Sequence, residues 1–230
     1  MELKEKTINN ISVKTSAIVA GIGILLMAII APIANFSILE GMVKPDNLPE
    51  TLQNILASQS QFRLSIALNL IVAILDIIVA WALFVYLRPI NKSLSLLAAW
   101  FRIVYATLLV ASVFYLINIS QLINGVGFET NYLQSQVMLS LNNFFFSWDF
   151  SMTIFGFHLL LIGYLIFKAG YMKKILGILI IIASIGYLID GFGQVLSPDY
   201  NIEIALYTFV GEIVLIFWLL IKGWRIKSIE

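Results

Sequence analysis

Apolar residues fill six long stretches of the chain, at about 15–38, 64–87, 93–120, 144–167, 173–195 and 203–221, with few polar interruptions. A helix needs about 20 mostly apolar residues to cross a hydrocarbon layer of roughly 30 Å, and these segments meet that length. The pattern predicts an all-α fold. It is a bundle of six transmembrane helices with short extracytoplasmic interfacial helices, in a single polytopic membrane domain over residues 1–230. The polar stretch MELKEKTINNISVK precedes the first apolar run, which is longer than a signal-peptide core and has no clean cleavage site after it. That run reads as a retained span, with Pro32 kinking it and Asn35 a turn below.

The polar segments between the runs divide into short and long. In the long segment 39–63, Asn47 or Pro49 followed by Glu50 and Thr51 opens a short amphipathic helix. The long segment 121–143 carries one charge, Glu129, and predicts a second interfacial helix, with Phe144, Phe145, Phe146 and Trp148 as an aromatic belt at the boundary. The short segments are basic. Lys4, Lys6 and Lys14 precede the first span, Arg88 and Lys92 lie between two and three, Lys168, Lys173 and Lys174 between four and five, and Lys222, Arg225 and Lys227 follow six. Only Lys44 and Arg63 lie on the other side and Arg102 inside a span, so both termini are expected in the cytoplasm and the protein in the cell membrane. The hairpins of spans two–three and four–five look alike, but shared hydropathy and a basic turn explain that likeness without a duplication.

Composition narrows the chemistry. Of 230 residues, 60% are apolar and 12% charged, with a mean hydropathy of +0.96; ordinary soluble chains are about 45–50% apolar and about 25% charged. The surplus apolar surface calls for membrane lipids as partners. A net charge of +1 lacks the basic excess that neutralises nucleic-acid phosphates. There is no cysteine and one histidine, His158, which leaves no disulfide framework, no cysteine-ligated metal and no histidine-rich metal site. No phosphate-binding glycine loop or nucleophile elbow is present, so no cofactor is expected.

What remains is the ionisable groups at membrane depth, each of which costs about 3 kcal/mol or more unless paired, hydrated or functional. Counted from the turns at about 1.5 Å per residue, they fall on two levels. Asp76 and Arg102 lie 14 residues before and 12 after the turn near Ile90, His158 lies 12 before the Gly170-Tyr171 turn, and Glu212 lies 10 before Lys222. These four are expected to converge near the midplane. Asp149 and Asp190 lie about equally far from the Gly170-Tyr171 turn, near the outer ends of their spans, and Arg63 is the cation expected between them. An Asp76–Arg102 pair that only fixes helix register is one reading; a His158 held by Ser184 or a carboxylate is another. Gly21 with Gly23, Gly156 with Gly163, and Gly186 with Gly193 read as close-packing positions.

The strings FRLSIALNLIVAILDIIVAWALFVYLRPINKSLSLLAAWFR, FGFHLLLIGYLIFKAGYMKKILGILIIIASIGYLIDGF and GEIVLIFWLLIKG, taken together, resemble the prokaryotic integral-membrane family called domain-of-unknown-function family 4386. The likeness covers about residues 12–223. Its landmarks fall on Phe62-Arg63, Asp76, Leu87-Arg88-Pro89, Arg102, His158, Gly163-Tyr164, Tyr187, Asp190 and Gly211-Glu212; Asn69 departs from it, where an acid is the more usual residue. The resemblance implies a six-span membrane protein and no particular activity.

Three functions are compatible with the residues. The first is binding or translocation of a small solute or proton through a polar intramembrane pocket, with Arg102 and Arg63 holding anionic groups and Glu212 or His158 changing protonation. The second is an intramembrane enzyme acting on a lipid or isoprenoid with Asp149/Asp190 or Glu212/His158 as acid and base. The third is a structural or accessory protein whose charges serve helix packing. The sequence identifies neither the ligand nor the oligomeric state.

Overall fold

The computed structural model describes residues 12–125, 127–197 and 199–225; of the basic residues used above, Lys4, Lys6 and Lys227 lie outside these. The described residues are helical and contain no strand. Five helices are long and apolar enough to cross a membrane: α1 (Val13–Met42), α3 (Gln59–Leu87), α4 (Lys92–Asn124), α5 (Thr130–Lys168) and α6 (Lys174–Leu196). Between α1 and α3 lies the short α2 (Leu48–Ala57). The last apolar helix, α7 (Ala205–Ile221), is shorter. It is made of two pieces, Ala205–Thr208 and Val210–Ile221, with Phe209 between them. The sixth expected span is thus a broken helix about 26 Å long at about 1.5 Å per residue.

The long helices form a closed ring. Each packs on its sequence neighbour, α1 on α3, then α3 on α4, α4 on α5, α5 on α6 and α6 on α7, and α7 returns to α1. The turns 88–91 and 169–173 lie at one end, with Lys14 and Lys222; this is the basic end, and the opposite one is the loop end. Isoleucine and tryptophan side chains such as Ile22, Ile29, Ile74 and Trp100 are exposed around the ring, while Ala17, Ala82, Leu83, Leu159, Ile180 and Leu219 close its interior toward the basic end. Small residues let the helices approach: a Cβ on Gly211 would stand 2.6 Å from the Leu179 backbone, and one on Gly21 would meet Leu219 and Leu220.

Local signals explain the helix ends. Asn91 accepts from the Leu94 amide at 3.0 Å and starts α4. Asn47 accepts from the Glu50 amide at 3.1 Å and starts α2, as the segment's pattern predicts; Asn47→Ala is expected to lower stability by about 1 kcal/mol, read from thermal unfolding in detergent. In α1, Pro32 has no N–H to donate, and the following turn widens into a π-helical segment, Ile33–Leu39. That turn carries Asn35 onto α3, where Asn35 and Asn69 exchange amide hydrogen bonds of 3.2 Å in both directions. Asn69→Leu is expected to lower stability by about 1 kcal/mol, most of it recovered in the Asn35→Leu/Asn69→Leu double variant, because a lone buried amide is worse than none.

The loop end differs from expectation in two ways. Residues 130–143 form no separate interfacial helix; α5 is continuous over 39 residues, about 58 Å at about 1.5 Å per residue. No proline interrupts it, and its first turns bury Val137, Leu141 and Phe144 in a second apolar core with Leu52 and Ile55 of α2, Phe62 of α3 and Leu116 and Ile119 of α4. For the same reason Phe144 belongs to no aromatic belt: it is fully buried, while Phe146 is exposed.

Candidate functional site

Inside the ring, between its centre and the loop end, lies a cavity of about 640 Å³ lined by α1, α3, α4, α5, α6, α7 and the segment before α7. That size suits a small molecule. Its floor is polar. Asp76 of α3 accepts from Arg102 of α4 through one carboxylate oxygen, Oδ1, which takes Nη2 at 2.6 Å and Nε at 2.9 Å. The pair is about 95% buried and is the one ion pair among the described residues. Asp76 Oδ2 receives no hydrogen bond among the described residues, although the side chain lines the cavity.

His158 of α5 stands behind this pair and does not line the large cavity. Arg102 Nη1 lies 3.2 Å from His158 Nε2, and Nδ1 lies 2.8 Å from the Ala98 carbonyl oxygen. A guanidinium offers only donors and a carbonyl only accepts, so Nε2 accepts and Nδ1 donates, and the ring is the neutral Nδ1–H tautomer. The expected Ser184 partner is absent because Ser184 Oγ donates to the Gly156 carbonyl at 2.8 Å. The contact with Arg102 replaces the expected carboxylate, since the guanidinium, reaching across from α4, sits between His158 and Asp76.

Glu212 of α7 completes the floor. Tyr187 of α6 donates to its Oε1 at 2.9 Å, which leaves Oε2 without a hydrogen bond among the described residues. A second void, about 20 Å³, lies between Arg102, His158 and Glu212 and has room for one water. Three of the four groups expected at the midplane therefore line one cavity, and the fourth reaches it only through Arg102. Phe155 covers the guanidinium at 5.3 Å, and Tyr105 and Trp148 add to the walls.

Toward the loop end the cavity is lined by Asp149, Asp190, Gln194 and Glu203. Asp190 has a structural duty: it accepts from Tyr200 Oη at 2.6 Å and from the Ile204 and Ala205 amides at 3.0 and 2.7 Å, so it holds the start of α7. The bond to Asp190 pushes the Tyr200 phenol up to about 12. Arg63 is not the cation between Asp149 and Asp190. It is exposed and lies off the cavity, because its neighbour Phe62 takes the inward position in the second core.

The DUF4386 family, described as a domain of unknown function, matches residues 19–223, from α1 to the turn after α7. The chain belongs to the DUF4386 family. It is 37% identical over 159 residues to an uncharacterized protein of Archaeoglobus fulgidus, an alignment covering 69% of this chain and 83% of the relative. No solved structure matches. All seven ionisable positions singled out above fall within the DUF4386 match. Sequence reasoning missed Tyr105, Trp148, Phe155, Tyr187 and Glu203 as cavity residues. For most of them a signal existed: Tyr105 follows Arg102 by three, Phe155 precedes His158 by three, and Tyr187 precedes Asp190 by three and Gln194 by seven, which are helical spacings.

Proposed function

We propose that this DUF4386 chain is a six-span membrane protein that binds a small solute in an intramembrane cavity opening to the extracytoplasmic side. The cavity itself carries the reading: about 640 Å³ of space with apolar walls and a floor made by Asp76, Arg102 and Glu212. Packing alone gives no reason to leave that space, since the Asp76–Arg102 pair would fix helix register equally well in a filled interior. Orientation rests on the basic end, which carries Lys14, Arg88, Lys92, Lys168, Lys173, Lys174, Lys222 and Arg225 and on that ground faces the cytoplasm. With α7 as the sixth span, both termini share that side. The exposed apolar side chains around the ring meet lipid, and the apolar core beneath the floor closes the way to the basic end. The arrangement suits binding from one side; translocation requires the Asp76–Arg102–His158 layer to part.

The enzyme reading is less well served, because His158 turns both ring nitrogens away from the large cavity. Native mass spectrometry of the full chain ejected from phosphatidylglycerol nanodiscs tests the binding reading. A retained small molecule of defined mass is expected in the wild type and is expected to be lost in Ala28→Trp, which places an indole at an exposed position of the α1 wall. A wild-type spectrum holding nothing beyond the phosphatidylglycerol of the nanodisc, unchanged in the variant, would sink it.

A further inference from the structure

The charges around the cavity specify what kind of molecule it takes. Five carboxylates line it, Asp76, Asp149, Asp190, Glu203 and Glu212, against the single guanidinium of Arg102. Arg102 is already matched by Asp76, so the arginine is no free anion site. Asp190 is engaged by three donors. At the floor that leaves two carboxylate oxygens without a donor among the described residues, Asp76 Oδ2 and Glu212 Oε2, the first on a side chain 97% buried. A buried carboxylate oxygen facing open space asks for positive charge. The walls between floor and mouth are aromatic and aliphatic, including Tyr105, Trp148, Phe155 and Phe209. Aromatic faces attract cations, and organic ammonium groups above all. The space is far larger than a bare metal ion needs, and among the described residues no three of its carboxylates cluster closely enough to hold one.

Along the α1–α7 seam the residues that line the cavity also reach the surface. α1 and α7 touch at the basic end, where Gly21 meets Leu219 and Leu220 and Gly223 meets Ala17. Nearer the loop end Ala28, Pro32 and Phe36 of α1 and Leu206, Phe209 and Ile213 of α7 line the cavity while remaining exposed. An apolar body can therefore enter from the membrane between these two helices.

Building on the reading that the cavity binds a small solute, we propose that its occupant is an organic cation of the ammonium type with an apolar body, the charge lying between Asp76 and Glu212. Such a cation comes either from a free lipophilic amine or from an amine-bearing lipid headgroup.

Tetraphenylphosphonium and tetraphenylborate, near-equal in size and opposite in charge, test this as probes. Their binding is measured to the full chain in phosphatidylglycerol nanodiscs, with empty nanodiscs subtracted. Saturable binding of the cation is expected, at least tenfold tighter than any binding of the anion. Glu212→Gln keeps the acceptor for Tyr187 and is expected to weaken cation binding at least tenfold. Asp149→Asn, at the exposed mouth, is expected to weaken it two- to threefold. Saturable binding of both ions alike, unmoved by Glu212→Gln, would overturn the cation assignment and leave the cavity as a binding site. Saturable binding of neither would overturn both. Adding phosphatidylethanolamine separates the two sources: competition with tetraphenylphosphonium points to the lipid headgroup, and its absence points to the free amine.

Discussion

Arg102→Leu is expected to lower the stability of the folded chain by about 3–5 kcal/mol, because it strands the Asp76 carboxylate in a site where the side chain is 3% exposed. It also removes the donor that His158 Nε2 accepts from, at 3.2 Å. Thermal unfolding in detergent measures the loss. Replacing the pair together, Asp76→Leu with Arg102→Met, is expected to recover most of it, since two apolar side chains carry no stranded charge. Arg102→Lys is expected to fall between them. One ammonium cannot reproduce the fork that reaches Asp76 through Nε and Nη2 and His158 through Nη1. A single variant that melts like the wild type would show that the ring does not depend on this layer.

Gly177→Leu is expected to be comparably harmful, by about 3 kcal/mol or more, for a steric reason. A Cβ at position 177 would stand 2.6 Å from the Phe167 amide nitrogen and 2.7 Å from the Gly163 carbonyl oxygen. Both obstacles are backbone, so α5 and α6 must separate along their whole contact, including the Ser184 to Gly156 hydrogen bond of 2.8 Å. Gly170→Leu, in the turn between the same two helices and with nothing within 4 Å of its Cβ, is the matched control and is expected to fold normally. Equal melting temperatures for the two variants would show that the close crossing of α5 and α6 contributes little.

Depth along a span was legible in the sequence, and direction around it was not. One residue changes depth by about 1.5 Å but rotates the side chain by about 100°. Counting from turns therefore brought Asp76, Arg102 and Glu212 to one level, where they line the same cavity. Arg63, at the outer start of its span, was expected between Asp149 and Asp190, yet it points away while Phe62 points in. His158 shows the converse: its depth was right, and its partners came from α4, on a helix whose facing side the sequence does not disclose. Helix ends were legible where a cap or proline marked them, as at Asn47, Asn91 and Pro32. The stretch 130–143 carried no such mark. Its helical continuity is set by the apolar residues it lays against α2, a contact between segments far apart in the chain.

The ring closes between α1 and α7, the first and last of its helices to be synthesised. A ribosome therefore delivers Asp76, Arg102 and Tyr187 to the membrane before Glu212 exists to face them. Until α7 arrives, that polar floor must be tolerated by lipid or shielded by the insertion machinery. The cavity is consequently the last part of the ring to form, and packing of the final helix against α1 is the step that completes it.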